Sequence, residues 1–373
     1  MLRVKYIGHF AEESGYGVAA RGHALALARA NAHVIGASLL YNGREFFALP
    51  PRNSGSARLE RLCRRKGPAD VTLLHVIPPY YPVLRERGMP TIGLSAWETP
   101  ELPRAWHEAA RAVDEIWVPS QFSVEAFRSA TGLPIHVVPH PVAPPPPAAK
   151  VFPGVPADAF VFASVMEWQQ RKNPLGLVRA FSRAFQGRRD VVLVMKLGRR
   201  LGLDEHRVAR AIDRASVRFR APPVHVFFAD GVSRHVIHRL LRRADAYVSL
   251  HRAEGFGLTI AEAMAAGLPT VATGYSGNLE YTDASSGFLV RATMVPVVED
   301  LARRSFYDPG MMWAEPSQDD AIDQLRACVD DVSLRSRVAR AGEARARSEL
   351  SMRVVGERMR KLLPVASGQH ASE

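Results

Sequence analysis

The sequence predicts an α/β protein built from two doubly wound, mostly parallel sheets. Three observations carry that expectation. Short β-branched runs alternate with helix-spaced apolar segments along the chain. A stretch with seven prolines, PVAPPPPAAKVFPGVP at residues 141–156, interrupts the alternation. The same alternation then restarts. The length of 373 residues suits two or three domains at roughly 150 residues each.

In order, RVKYIGHF reads as a first strand, AEESGYG as a glycine-bearing loop and VAARGHALALARA as a helix. AHVIGASLL, VTLLHVIP, TIGLSAWE, EIWVPS and IHVVPHPV are further short strands. The proline stretch can be neither helix nor central strand, so it reads as a stiff linker. The alternative is a proline-rich ligand for another protein. Beyond it, AFVFASV, DVVLVMKL, VHVFFA, AYVSL and PTVAT read as strands. NPLGLVRAFSRAFQ, VSRHVIHRLLRRA and LTIAEAMAAG read as helices between them. From about Asp319 to Leu363 the chain is arginine-rich and amphipathic, a helical tail expected to pack on the domains. The boundaries expected are a first domain over 1–143, a linker over 144–156, a second domain over 157–345 and the tail over 346–373. Sheets of this kind bind ligands beyond the carboxyl ends of their strands. A nucleotide-sized ligand in a cleft between the two domains is therefore the starting expectation.

Composition narrows the partners. The chain carries 49 basic and 37 acidic residues, a formal charge of +12, with lysine only at Lys5, Lys66, Lys150, Lys172, Lys196 and Lys361. A positive surface favours nucleotides, anionic lipid or nucleic acid, and charge alone does not choose among them. Two distant cysteines, Cys63 and Cys328, form no metal spacing and fit a reducing cytosol. The first residues, MLRVKYIGHFAEE, run into acids like a strand, not a signal peptide. No apolar run of about 18 residues is present, so no membrane span is expected.

Four stretches carry candidate chemistry. In HRAEGFGLTIAEAMAAGLPT, Glu254 falls in a loop after a strand and Glu262 about one turn into the following helix. Gly255 and Gly257 let backbone approach a ligand, and the amides of Gly257, Leu258 and Thr259 fall at a helix start suited to phosphate. Glu262 fits a pair of sugar or ribose hydroxyls, and equally an unliganded acid near a helix start; Glu254 could equally be a simple loop acid. In EWQQRKNPLGLVRAF, Asn173 suits an N-cap and Pro174 the first helical position, which puts Arg171 and Lys172 beside a helix start as an anion site. A solvated basic turn is the plain alternative. SGYGVAARG offers a phosphate-cradling loop at Gly15, Tyr16 and Gly17 but lacks the dinucleotide and Walker patterns. TIGLSAWETPELP places Glu98 after a strand, suited to a substrate hydroxyl or proton transfer, or to capping its own loop. Lys196 and Arg199, after DVVLVMKL, are further cations at the same edge. The histidines at 75, 136, 140, 225, 235, 238 and 251 show no metal spacing and read as surface or satisfied core residues. No DxD and no GxSxG occurs.

EGFGLTIAE resembles the E-x7-E motif of the retaining GT-B glycosyltransferases of family GT4. The surrounding ADAYVSLHRAEGFGLTIAEAMAAGLPTVATGYSGNLEY is similar to that family's nucleotide-sugar half, and DEIWVPSQFSVEAF and IHVVPHPV to the end of its acceptor half. The resemblance implies two Rossmann-like domains facing each other across a cleft. It implies that Glu254 contacts the donor sugar and Glu262 the ribose. Amides around Phe256, Gly257 and Leu258 would face the diphosphate, and Lys172 would neutralise it. Gly15 and Gly17 would close over the phosphates. It implies a sugar transferase using a nucleoside diphosphate sugar such as a UDP- or GDP-sugar, with no cofactor and no metal. The acceptor would be a saccharide or a lipid-linked molecule of surface polysaccharide or glycolipid synthesis, met in the cytoplasm or at the inner face of the membrane. Two places depart from the family. The Gly-Arg pair usual before the lysine is replaced within SVMEWQQRKN by the region of Val165 and Met166, so Arg171 or Lys196 is the candidate substitute. Trp97-Glu98 stands where many relatives carry a histidine.

A nucleotide-sugar 2-epimerase or a phosphorylase of the same fold would share these features. A nucleic-acid-binding reading rests on the +12 charge alone and has no recognition module behind it. The arginines of LERLCRRKG, Arg58, Arg61, Arg64 and Arg65, suit either a membrane-facing patch or a solvated helix face.

Overall fold

The computed structural model describes residues 2–41, 46–48, 56–147, 151–198, 204–217, 222–228, 234–298 and 306–364. Arg199 lies outside them. The chain divides into two compact units. Unit 1 comprises 1–142 and 349–373, and unit 2 comprises 143–348.

Unit 1 runs β1 (Arg3–Gly8), α1 (Gly15–Arg29), β2 (His33–Tyr41), β3 (Phe46–Ala48), α2 (Ala57–Arg64), β4 (Val71–His75), α3 (Tyr81–Leu84), β5 (Thr91–Leu94), α4 (His107–Ala110), β6 (Glu115–Val118), α5 (Gln121–Arg128) and β7 (Ile135–Val137). Among the described residues its sheet has the order β3-β2-β1-β4-β5-β6-β7, parallel except for the β2–β3 edge. The order reverses between β1 and β4. VTLLH of β4 is buried throughout, as a central parallel strand covered on both faces must be. Serines start the helices: Ser14, Ser56 and Ser120 each accept a backbone N–H from the first turn of α1, α2 and α5.

Unit 2 runs β8 (Phe160–Glu167), α6 (Pro174–Ala184), β9 (Val191–Gly198), α7 (Glu205–Val217), β10 (Val224–Phe228), α8 (Arg234–Arg243), β11 (Ala246–Ser249), α9 (Leu258–Ala265), β12 (Thr270–Thr273), β13 (Phe288–Val290), β14 (Ala292–Pro296), β15 (Met312–Pro316), α10 (Gln318–Asp330) and α11 (Val332–Glu349). Its sheet is parallel in the order β10-β9-β8-β11-β12-β13 and reverses between β8 and β11. β14 and β15 form a separate antiparallel hairpin. The core gathers apolar strand residues around the rings of Phe162, Phe181 and Phe185. Truncating such a ring costs about 3–5 kcal/mol.

The proline-rich linker falls within unit 2. Arg242 donates to the carbonyls of Pro145 and Pro146, and Arg243 to those of Pro156, Ala157 and Ala159. Arg243 is buried, which a guanidinium tolerates only when its donors are used.

The last helix, α12 (Met352–Leu362), clusters with unit 1 and packs on α1. A Cβ on Gly356 would run into the backbone of Ala26, so the two helices touch backbone to backbone there. Val355, Met359 and Leu363 join Leu2, Val4, Ala24 and Leu27 in one core. On α2, Leu59 and Leu62 turn inward while Arg58, Arg61 and Arg64 are exposed, and Arg65 donates to the Val34 carbonyl at 3.1 Å.

Two expectations need correction. Gly15, Tyr16 and Gly17 are not loop residues but the first turn of α1, because Ser14 caps the helix by accepting from the Gly17 amide at 3.2 Å. A Cβ on Gly17 would meet the His9 carbonyl at 2.8 Å, which explains the glycine. Asn173 occupies the N-cap position of α6, but its backbone is left-handed (φ 51°) and its side chain makes no capping bond. Pro174 does take the first helical turn.

Candidate active site

The reversal of strand order in unit 2 opens a crevice between the carboxyl ends of β8 and β11, where sheets of this kind receive ligands. β8 leads into a short 3-10 turn at Gln170–Lys172, and β11 leads into the loop 250–257 that starts α9. These two loops carry opposite charges, and the fold brings them together. Arg171 Nη1 donates to Glu254 Oε2 at 3.4 Å and to the Ala253 carbonyl at 2.9 Å. Lys172 Nζ donates to Glu254 Oε1.

All three side chains are mostly buried, with 11–19 % of each exposed, so their charges act at reduced dielectric. Burial opposes ionisation of Glu254, but Lys172 and Arg171 outweigh it and hold the carboxyl down at about 2. Glu254 is therefore a carboxylate across the neutral range and acts as an acceptor, not as an acid. Both cations converge on this one carboxylate at the strand ends.

The loop bearing Glu254 is braced from behind. The Glu254 amide donates to Ser276 Oγ at 2.8 Å, and the Gly277 amide donates to the Glu254 carbonyl at 2.8 Å. Tyr281 Oη lies 2.9 and 2.7 Å from the carbonyls of Phe256 and Gly257, and its ring packs on Phe256 at 4.8 Å. His251 is buried and satisfied by Ser249, the Tyr275 carbonyl and Asn278. Burial lowers its pKa and keeps the ring neutral. Gly257 is the N-cap of α9 with φ +81°, a conformation that favours glycine. Leu258 and Thr259 begin the helix, half-buried, and Thr259 accepts from Tyr247 Oη at 2.8 Å.

Arg252 ties the parts together. Its amide donates to the Arg171 carbonyl at 2.8 Å, and its carbonyl accepts from Ala314 of β15 at 3.0 Å. Its guanidinium donates to Glu315 and to the Gln170 carbonyl and lies 5.6 Å from the centre of the Trp313 ring. Sequence reasoning did not single out Arg252, Ser276, Asn278 or Tyr281. Arg252 adjoins the motif, but its partners lie 63 and 82 positions away in sequence, so no local pattern marks them.

Of the other expected residues, Gly255 and Phe256 are buried in the same loop, and Glu262 is buried in α9. Lys196 stands near the carboxyl end of β9, in register with Val165 and Phe227. Gly15, Tyr16, Gly17 and Glu98 belong to unit 1. Tyr16 Oη bonds Ser95 Oγ at 3.0 Å, and burial pushes its pKa up to about 12. Glu98 is half-buried beyond β5, next to Trp97, whose indole donates to Thr99 and the Glu101 carbonyl. Among the described residues, no group of three or more His, Cys, Asp or Glu side chains is arranged to hold a metal ion. None of their helices is long and apolar enough to cross a membrane.

Residues 148–305 match the family model of glycosyl transferases group 1. The match covers β8 through β13 and both loops of the crevice. No curated protein matches the chain. Among solved structures, a sucrose-phosphate synthase from Thermosynechococcus elongatus is 14% identical with a TM-score of 0.68, over 97% of this chain and 98% of that one. HepE of Anabaena, solved in complex with UDP-glucose, is 15% identical with a TM-score of 0.65, over 97% and 99%. TarM of S. aureus is 13% identical with a TM-score of 0.56, over 78% of this chain, which spans about half (53%) of TarM. At these identities the likeness shows the fold: two Rossmann-like domains of the GT-B type.

Proposed function

We propose that this protein is a metal-independent retaining glycosyltransferase of family GT4. It moves a sugar from a nucleoside diphosphate sugar to a saccharide or lipid-linked acceptor. The observation that carries the reading is the buried cluster of Glu254, Lys172 and Arg171 at the strand reversal of unit 2. It lies inside the segment that matches glycosyl transferases group 1. HepE, of like fold, is solved with UDP-glucose, which favours a UDP-sugar as the first donor to test.

The chemistry follows from the charges. Breaking the bond between sugar and diphosphate builds negative charge on the leaving group. Lys172 and Arg171, already fixed by Glu254, stabilise that charge without reorganising. They do the work a divalent cation does in other transferases. Arg171 takes the place of the cation missing from SVMEWQQRKN. Glu254, held ionised, accepts hydrogen bonds from sugar hydroxyls. The amides at Gly257, Leu258 and Thr259 receive the phosphates at the start of α9. Glu262 accepts from the ribose, and Lys196 adds a cation at the same sheet edge. In this proposal no side chain attacks the sugar; the departing phosphate takes the acceptor's proton as the new bond forms on the same face. For unit 1 the resemblance suggests Gly15, Tyr16 and Gly17 as phosphate contacts and Glu98 as a contact of the sugar or acceptor. Arg58, Arg61 and Arg64 on the exposed face of α2 suit a peripheral contact with anionic membrane at the cytoplasmic face.

The test begins with thermal shifts on UDP, GDP and ADP and continues with sugar transfer from the nucleotide that binds. The product anomer, read by NMR, should match the donor's, and EDTA should leave the rate unchanged. Near-normal turnover in both Glu254→Ala and Lys172→Ala would refute the site.

A further inference from the structure

Among the described residues, three other than glycine adopt a positive φ: Asn31, Asn173 and Ser276. Asparagine tolerates the left-handed region, because its short side chain can hydrogen-bond locally. Ser276 is different. Its φ of 75° and ψ of −151° fall in a region that is essentially reserved for glycine. Glycine stands close by at Gly274 and Gly277, yet serine occupies the one position of this turn whose backbone favours glycine. The turn is fixed on every side. The Gly274 amide donates to the Val290 carbonyl at 2.8 Å, and the Asn278 side chain donates to the Thr273 carbonyl at 3.0 Å. A Cβ on Gly277 would run into the Gly255 carbonyl, so the turn lies directly on the loop that bears Glu254. What the strain holds in place is a hydroxyl. Ser276 Oγ is buried and accepts the Glu254 amide at 2.8 Å, while the Gly277 amide donates to the Glu254 carbonyl at 2.8 Å. The main chain of Glu254 is thus held at both of its polar groups, and its carboxylate is held at both oxygens by Lys172 and Arg171.

We propose that Ser276 is a positioning residue for the transfer reaction. Its hydroxyl, kept in a backbone conformation that favours glycine, fixes the main chain of Glu254 and so the direction in which the carboxylate meets the donor sugar. The inference rests on the donor-site reading above and adds to it a residue that acts only through Glu254. Strain of this kind persists where the surroundings over-determine it, and it gathers at binding and catalytic sites. The residue type follows from the chemistry. A buried amide without an acceptor is costly, glycine and alanine offer none, and serine is the smallest residue that does. One position therefore sets stability against activity: the residue easiest on the backbone is the one that lets Glu254 turn.

The experiment compares the full-length wild type with Ser276→Gly and Ser276→Ala. Both variants lose the hydroxyl, but only alanine keeps the strain, so Ser276→Gly should melt roughly 2–6 °C above Ser276→Ala. Turnover reads the hydroxyl. Release of nucleotide from UDP-glucose, UDP-N-acetylglucosamine or GDP-mannose, whichever the wild type accepts, should fall roughly tenfold in kcat in both variants alike. Calorimetric titration with UDP or GDP should give a Kd within about threefold of the wild type, because Glu254 faces the sugar and not the nucleotide. Activity then follows the hydroxyl while stability follows the backbone. If Ser276→Ala fails to fold, the strain is upheld and Ser276→Gly carries the kinetic test alone. A wild-type kcat in Ser276→Gly overturns the inference and leaves the donor reading intact. Equal melting of the two variants does the same, as does a loss of nucleotide affinity in Ser276→Gly as large as its loss of kcat, the mark of a merely structural role. A wild type that binds neither UDP nor GDP and turns over none of the three donors overturns the donor reading itself.

Discussion

The two sheets reverse direction in the same way, between β1 and β4 in unit 1 and between β8 and β11 in unit 2, yet the reversal points are filled oppositely. In unit 2 the crevice holds a carboxylate and two cations. In unit 1 the corresponding place holds a knot of histidines. His75 ends β4, and its ring centre lies 5.4 Å from that of His23 and 6.1 Å from that of His140, which are themselves 5.2 Å apart. Tyr6 Oη lies 2.7 Å from His75 Nδ1, and the edge of Tyr16 faces His75. All three histidines are buried. Burial pushes His23 down to about 4, and it pushes His75 and His140 well below the usual range. One topology therefore supports two electrostatic solutions. Unit 2 keeps its charges by pairing them, and the histidine cluster of unit 1 is held toward neutrality by burial.

The largest effect that separates the two solutions is acidification. Between pH 6.5 and about 4 the unfolded chain binds a proton at His23 that the folded chain excludes. Folding is then opposed, and stability falls as pH falls, by about 1.4 kcal/mol per pH unit for each such histidine. Glu254 behaves differently: its contribution is present above pH 4.5 and is lost only as pH approaches about 2. Hydrogen exchange at pH 7 and pH 5 should show β1, β4 and α1 losing protection while β11 and α9 keep it. Equal loss in both units would erase the contrast.

Next comes the charged crevice itself. Lys172→Ala should lower kcat about 10²–10³-fold, the usual cost of removing one preorganised donor from a developing anion. Its thermal midpoint should change little, because removing Lys172 still leaves Arg171 to partner Glu254. A smaller loss, about tenfold in kcat, is expected for Arg252→Lys, which keeps the charge but gives up the fork shared by Glu315 and the Gln170 carbonyl. Steady-state kinetics with saturating donor reads both. The smallest effect is expected in unit 1. Tyr16→Phe removes the hydroxyl's bonds to Ser95 and to the backbone of Ala96 at a cost of about 1–2 kcal/mol, measurable by urea denaturation.

What the sequence revealed divides along the same line. Glu254 and Lys172 each follow a β-branched run, so their places at strand ends were legible. Their pairing was not, because 82 positions separate them and no spacing rule spans three crossovers. His75 and His140 show no pattern for the same reason, and His23 carries no signal of its own. The first turn of α1 reads as loop because glycines usually break helices, whereas here the Ser14 cap offsets their cost. Asn173 has the right residue type and position for a cap, but its backbone is left-handed and its side chain lies against Gly176 without making a capping bond.

The packing of α12 against α1 has a consequence for how the chain is made. The core of unit 1 needs Val355, Met359 and Leu363 beside Leu2, Val4 and Leu27. The whole of unit 2 lies between those two sets of residues. During synthesis the ribosome therefore releases all of unit 2 before the residues that finish unit 1 emerge. The half made first is the half completed last. Until then the apolar face of α1 waits uncovered, which makes unit 1, not unit 2, the part of the nascent protein that calls for a chaperone.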